Sequence, residues 1–183
     1  MKGKKIVSLL LTIVLVLFQF NMVFASSPSG QWIQAYQDYS MAITFNGVKQ
    51  GFTDPADGSK IVPIVYNGRS YLPVRAICNL SRLDVVYDTN THAILLSKGS
   101  NIIYGDTVEQ TWSMPKDNGK WIQAYQDSSL VVKFDGNAQT FTDQNDGSTI
   151  VPIVYNNRSY LPVRAIANLA GLNMLTIMIS LKK

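Results

Sequence analysis

The chain is expected to fold as α+β, in two tandem small domains, each an antiparallel β-sheet of hairpins curled around one short α-helix. Three observations point there. Ile61 to Ile77 (IVPIVYNGRSYLPVRAI) returns at Ile150 to Ile166 as IVPIVYNNRSYLPVRAI, and the offset of 89 holds from Gly30/Gly119 through Leu83/Leu172 with about two thirds of positions identical. That period exceeds the roughly 20–50 residues of a solenoid unit, so each copy reads as a domain. Each copy also carries two tight-turn signals between alternating apolar residues, and one short helical pattern opened by proline. The expected boundaries are 30–98 for the first domain, 99–118 for a linker and 119–183 for the second.

The turns come first. Phe45-Asn46-Gly47-Val48 and Phe134-Asp135-Gly136-Asn137 place Asn-Gly and Asp-Gly at one point of the repeat. A two-residue type I′ turn asks for these residues, because both central positions need positive φ. The incoming strand alternates Met41, Ile43, Phe45 in one copy and Leu130, Val132, Phe134 in the other, so one face is buried. A second turn falls at Asn67-Gly68 and Asn156-Asn157, joining a strand from Ile61 to Tyr66 with another from Arg69 to Leu72. Gly and Asn both tolerate the left-handed region, which explains the exchange between them. Pro63 and Pro152 remove a donor from the first of these strands and imply an edge or a bulge there.

Pro73 and Pro162 open the helix, with Val74, Ile77 and Cys78 on its apolar face and Arg75, Asn79 and Arg82 on the wet one. A last hairpin follows in copy one, Leu83 to Asp88 against His92 to Ser97. Copy two departs from this pattern. After Asn173 it has residues for one apolar strand, Met174 to Leu181, and no returning partner. An unpaired edge and a weaker second half are expected. One codon choice for Met174 to Ile179, read from its third base, gives Val-Asp-Tyr-Tyr-Asp, close to Asp84 to Asp88, so the second copy reads as truncated or frameshifted.

The first 25 residues read as an export signal: Lys2, Lys4 and Lys5, an apolar run from Ile6 to Phe18, and a small residue at Ala25 before Ser26. Gln19 and Asn21 interrupt the run before it reaches the roughly 20 residues of a spanning helix, so no stable membrane span is expected after cleavage. The mature product is expected to be secreted or held in the cell envelope. Cleavage removes three of the 16 Lys and Arg and none of the 12 Asp and Glu. The remainder is close to neutral, without the basic cluster that nucleic acid binding requires. Cys78 is the single cysteine, and its counterpart is Ala167, which reads as a small buried helix position rather than a reactive thiol.

A hairpin ending N-G-R-S-Y-L-P-V-R-A-I, then a short helix, a polar break and a V-x-Y-D strand, resembles the copper amine oxidase N-terminal-like domain, also called the stalk domain. The resemblance covers Phe45 to Ser97 and Phe134 to Leu172. It implies a small antiparallel sheet around a helix, in exported proteins of Gram-positive-type bacteria, often in tandem. It does not imply oxidase activity, since copper and the quinone of the name-giving enzymes belong to a separate large domain.

The side chains agree with a non-catalytic, cofactor-free reading. His92 is the one histidine, has no counterpart in copy two, and is expected to face solvent. A copper site needs several imidazoles. The loops from Asp54 to Gly58 and Asp143 to Gly147 lack the alternating ligands of a calcium loop and read as Asx turns. Trp32 and Tyr36 recur as Trp121 and Tyr125 in WIQAYQ. They are either core and sheet-edge packing or paired platforms for sugar rings or for a partner protein, and their exposure separates packing from display. The leading expectation is an envelope spacer, scaffold or adhesion-like unit with another envelope protein as partner. The alternative is a module that binds cell-wall or extracellular polysaccharide through those four aromatics.

Overall fold

The structure is a computed structural model, describing residues 29–54, 58–99, 107–109, 118–172 and 177–181. The expected export signal at 1–25 and most of the expected linker, including Ile102 to Tyr104, lie outside the described residues. Copy one runs β1 (Gly30–Asp38), β2 (Met41–Phe45), β3 (Val48–Thr53), β4 (Lys60–Ile61), β5 (Ile64–Tyr66), β6 (Arg69–Pro73), α1 (Val74–Ser81), β7 (Leu83–Asp88) and β8 (Ala93–Lys98). A short β9 (Thr107–Glu109) precedes copy two. The latter runs β10 (Gly119–Asp127), β11 (Val131–Phe134), β12 (Asn137–Gln139), β13 (Phe141–Thr142), β14 (Thr149–Ile150), β15 (Ile153–Tyr155), β16 (Arg158–Pro162), α2 (Val163–Leu169) and β17 (Ile177–Leu181).

Local structure follows the turn chemistry. Asn46 and Gly47 take φ of 51° and 80°, Asp135 and Gly136 take 45° and 82°. Asn156 and Asn157 hold φ of 47° and 56° where Asn67 and Gly68 hold 46° and 69°. Pro63 and Pro152 do more than mark an edge. The strand stops before each of them, and β4 and β5, like β14 and β15, join different sheets. The freed carbonyls accept the N–H of Asp38 (3.1 Å) and of Asp127 (3.0 Å). Pro73 and Pro162 sit one position before their helices, with extended ψ of 133° and 132°, so they close β6 and β16.

The expected α+β pair of domains is not what forms. Strand dominates, the helices are short, and the two copies interleave around a closed six-stranded barrel in the order β1-β10-β15-β16-β6-β5. Each copy supplies three strands. The cause is the symmetry of the repeat. β1 lies antiparallel to β10 with Gly30 opposite Asp127, Gln34 opposite Gln123 and Asp38 opposite Gly119. β6 lies against β16 with Leu72 opposite Leu161. Both registers are unchanged when the copies are exchanged, so each copy uses its twin as its strand partner and a pseudo-twofold axis crosses the barrel at Gln34/Gln123 and Leu72/Leu161.

The core follows the same rule. Ile33, Ala35, Ile64 and Tyr71 fill the barrel together with Ile122, Ala124, Ile153 and Tyr160, each pair one repeat apart. Outside the β6/β16 wall a second core gathers Leu72, Val74, Ile77 and Cys78 with Leu161, Val163, Ile166 and Ala167, so the helices roof that wall. Two flanking sheets complete the roof. β8 of copy one runs parallel to β11 of copy two, Ala93 opposite Val131, in a sheet ordered β12-β11-β8-β7. β17 of copy two runs antiparallel to β2 of copy one, Ile177 opposite Phe45, beside β3 and β4.

That last pairing gives the terminal strand a partner where none was expected, and leaves β17 as the outer strand of its sheet. The tail of copy two covers the hairpin of copy one, as β8 covers the hairpin of copy two. Charge follows the exchange as well: Arg69 pairs with Asp143, and Arg158 with Asp54. Each arginine reaches into the other copy.

Burial has a consequence at high pH. Loss of solvent pushes the Tyr160 hydroxyl up to about 12, against a smaller opposing pull from Arg158, and pushes the Cys78 thiol up to about 12. The fold favours both neutral forms. Their contribution is complete below the ordinary values of 9.0 and 10.0 and is lost as pH climbs toward 12. Urea midpoints are therefore expected to hold steady up to about pH 9 and to fall between about pH 9 and 12. A midpoint that stays flat through that window would contradict the burial of both groups.

Candidate functional site

The β1/β10 wall lies opposite the roofed wall, and its outer surface carries the repeated WIQAYQ segment. Alternation along each strand turns Ile33, Ala35, Ile122 and Ala124 into the barrel. Trp32, Gln34 and Tyr36 of β1, with Trp121, Gln123 and Tyr125 of β10, therefore face outward. Register sets Trp32 opposite Tyr125, Gln34 opposite Gln123 and Tyr36 opposite Trp121.

Each tryptophan meets the tyrosine across from it edge-on. The centroids are 5.4 Å apart in both pairs, at interplanar angles of 62° and 64°. Trp32 is 72% exposed and Trp121 70%, while both tyrosines are half-buried. Glycine accounts for the difference. A Cβ on Gly30 would lie 2.7 Å from the Tyr125 ring, and one on Gly119 would lie 2.8 Å from that of Tyr36. Each tyrosine thus folds down over a glycine at the start of the other strand and props the tryptophan beside it.

Exposure argues against core packing for the two tryptophans. Large apolar side chains in a core lose nearly all their accessible surface, and these tryptophans keep more than two thirds of theirs. The structure brings all four expected residues onto one face. It adds Gln34 and Gln123 between them, both exposed, which the sequence reading passed over. Their signal was present in the WIQAYQ repeat, at the position that shares a strand face with Trp and Tyr.

A second cluster was also missed. His92 is half-exposed rather than free in solvent: Nδ1 lies 2.6 Å from the Tyr87 hydroxyl and Nε2 lies 2.9 Å from Asp127 Oδ2. These contacts suit a ring whose Nε2–H donates to the carboxylate while Nδ1 accepts from the phenol. Burial alone would push the Asp127 carboxyl up. The Ser129 hydroxyl and N–H, with His92, outweigh it and hold the group below the ordinary carboxylate range. The chain Tyr87–His92–Asp127 ties the β7/β8 turn of copy one to the end of β10. It stands beside a cleft of about 760 Å³ between α1, the β7/β8 turn and the β15/β16 hairpin. His92 has no twin, since Leu181 occupies the equivalent position, so the repeat held no signal for this contact.

The acidic loops bind their own chain. Asp143 Oδ1 accepts the Asn145 N–H at 2.7 Å, and Asp146 Oδ1 accepts that of Ser148 at 2.9 Å, as Asx turns do. Asp54 and Asp143 also receive Arg158 and Arg69, so their carboxylates are committed to ion pairs. Residues 55–57 lie outside the described set. No helix among the described residues is long and apolar enough to cross a membrane.

No family model, curated protein or solved structure matches the chain. Fold and site together describe a mostly-β, internally duplicated barrel with one wall roofed by helices and the other bearing an uncharged aromatic and amide face.

Proposed function

We propose that this is a non-catalytic, extracytoplasmic module that binds cell-wall or extracellular polysaccharide on the β1/β10 face. The exposure of Trp32 and Trp121 on the outside of a closed barrel carries this reading. A pyranose ring presents C–H groups on its flat side and hydroxyls around its rim. Aromatic rings meet the first and glutamine amides the second, and Trp32, Tyr36, Trp121 and Tyr125 surround Gln34 and Gln123 in that pattern. The export-type leader and the stalk-domain resemblance support an envelope setting. A role as pure spacer is less well served, because interleaved copies form one body where stacked copies would add length. Adhesion and scaffolding follow from the same face once it holds a glycan.

Sugar stacking that covers a third of a tryptophan's roughly 200 Å² is worth about 1.5 kcal/mol, which is about tenfold in affinity. Trp32→Ala and Trp121→Ala are each expected to lose about tenfold in retention on insoluble polysaccharide or peptidoglycan, measured by depletion from solution. Because both side chains are exposed, thermal stability should stay within about 0.5 kcal/mol of wild type. Undiminished retention of the doubly substituted protein would remove the basis for this function.

A further inference from the structure

We infer that the β1/β10 face is a pair of equivalent, oppositely oriented subsites that holds an uncharged, extended glycan longer than a disaccharide, in either chain direction. This rests on the polysaccharide reading above. Its basis is the register. Exchanging the copies carries Trp32/Tyr125 onto Trp121/Tyr36 and leaves Gln34 opposite Gln123, so the face looks the same after a half-turn about its normal. The ring geometry agrees, with matched 5.4 Å separations and angles that differ by only a few degrees. A glycan lying along the face meets the same side chains whichever end leads.

Length follows from strand geometry. Trp32 and Tyr36 are four residues apart, and at about 3.4 Å per residue the two aromatic pairs stand roughly 14 Å from each other along the strands. A disaccharide covers one pair. Only a longer, extended chain reaches both while its middle passes over the two glutamines.

Charge selects the class of glycan. All six of these outward side chains are neutral, and the nearest carboxylates, Asp38 and Asp127, are buried and bonded to Ser40 and Ser129. A polyanion such as a phosphate-linked wall polymer finds no cation among these six side chains. A neutral polyol finds stacking surface and amide partners.

The probes are uncharged β-linked N-acetylglucosamine and glucose oligosaccharides, from disaccharide to hexasaccharide, titrated calorimetrically against the full mature protein. The hexasaccharide is expected to bind at least tenfold more tightly than the disaccharide. Trp32→Ala and Trp121→Ala should weaken it to the same degree, each bringing it near the disaccharide value. Direction is read by a hexasaccharide carrying a nitroxide at its reducing end. It should broaden the Trp32 and Trp121 indole N–H signals equally, the peaks being assigned from their loss in the two variants. Binding dominated by one tryptophan, or broadening of one signal alone, overturns the paired subsites and leaves the polysaccharide reading standing. No binding by any probe, or full binding by the double variant, removes both. A dimer in sedimentation that dissociates in the double variant assigns the face to a second copy of this chain and overturns the inference.

Discussion

A fragment spanning residues 29–99 is expected to assemble as a dimer and to lack a folded monomer. Copy one holds three of the six barrel strands, and two of them, β1 and β6, take their partners from copy two. Because the registers are symmetric, a second copy of the fragment can stand in for the missing half. Gln34 would face Gln34, Leu72 would face Leu72, and Arg69 would reach Asp54 across the interface. A monomer instead exposes Ile33, Ile64 and Tyr71, at roughly 1.5–3 kcal/mol for each large side chain. That loss matches most of a typical stability of about 5–15 kcal/mol. Sedimentation should show the dimer, with a melting temperature that rises with concentration. A monomer with native-like circular dichroism at low concentration would restore two independent domains.

Tyr160→Ala should be among the most destabilising single substitutions on the barrel, at about 3–5 kcal/mol, as for large aromatics removed from a core. The Tyr160 side chain is 2% exposed, and its twin Tyr71 is 1% exposed, so the two fill the interior from the wall facing Ile33 and Ile122. Few small residues near the ring can collapse into the space it leaves, Ala35 and Ala124 among them. Tyr71→Ala is expected to cost a similar amount. Urea denaturation of Tyr160→Ala beside Trp32→Ala makes the contrast direct, because the exposed tryptophan should leave the midpoint nearly unchanged. Similar midpoints for these two variants would mean that the inner and outer faces of the barrel strands have been exchanged.

The parts of the molecule that depend on neighbouring residues were legible in the sequence. Asn46-Gly47, Asp135-Gly136 and Asn156-Asn157 all take the positive φ that their turns demand. The helices begin within a residue of Pro73 and Pro162, and Val74, Ile77 and Cys78 are buried as their spacing requires. Pairing was not legible. A repeat shows that two segments can make the same contacts, but a strand that fits its own copy's edge fits the twin's edge equally well. The choice is made by the symmetric registers at Gln34 and Leu72, which only the folded chain reveals. The aromatic face had a similar ambiguity, because Trp-Ile-Gln-Ala-Tyr is apolar on both parities. A six-stranded barrel has a narrow interior, and Tyr71 and Tyr160 already occupy it, so Ile and Ala turn inward and Trp stays out.

Interleaving also sets the order in which the molecule can form. β1 is made early, yet its full-length partner β10 begins at Gly119, and the barrel joins strands separated by about half of the chain. Such distant pairings fold slowly compared with hairpins, so β2/β3 and β7/β8 should close first and the barrel last. During that interval β1 and β6 carry open edges, the feature that invites pairing with another chain. The invited strand need not be foreign. Any neighbouring molecule presents the same WIQAYQ and RSYLP segments in the same register, so its β10 competes with the chain's own β10 on nearly equal terms. Dilution favours the closed monomer, and crowding during synthesis or refolding favours chains linked by exchanged halves.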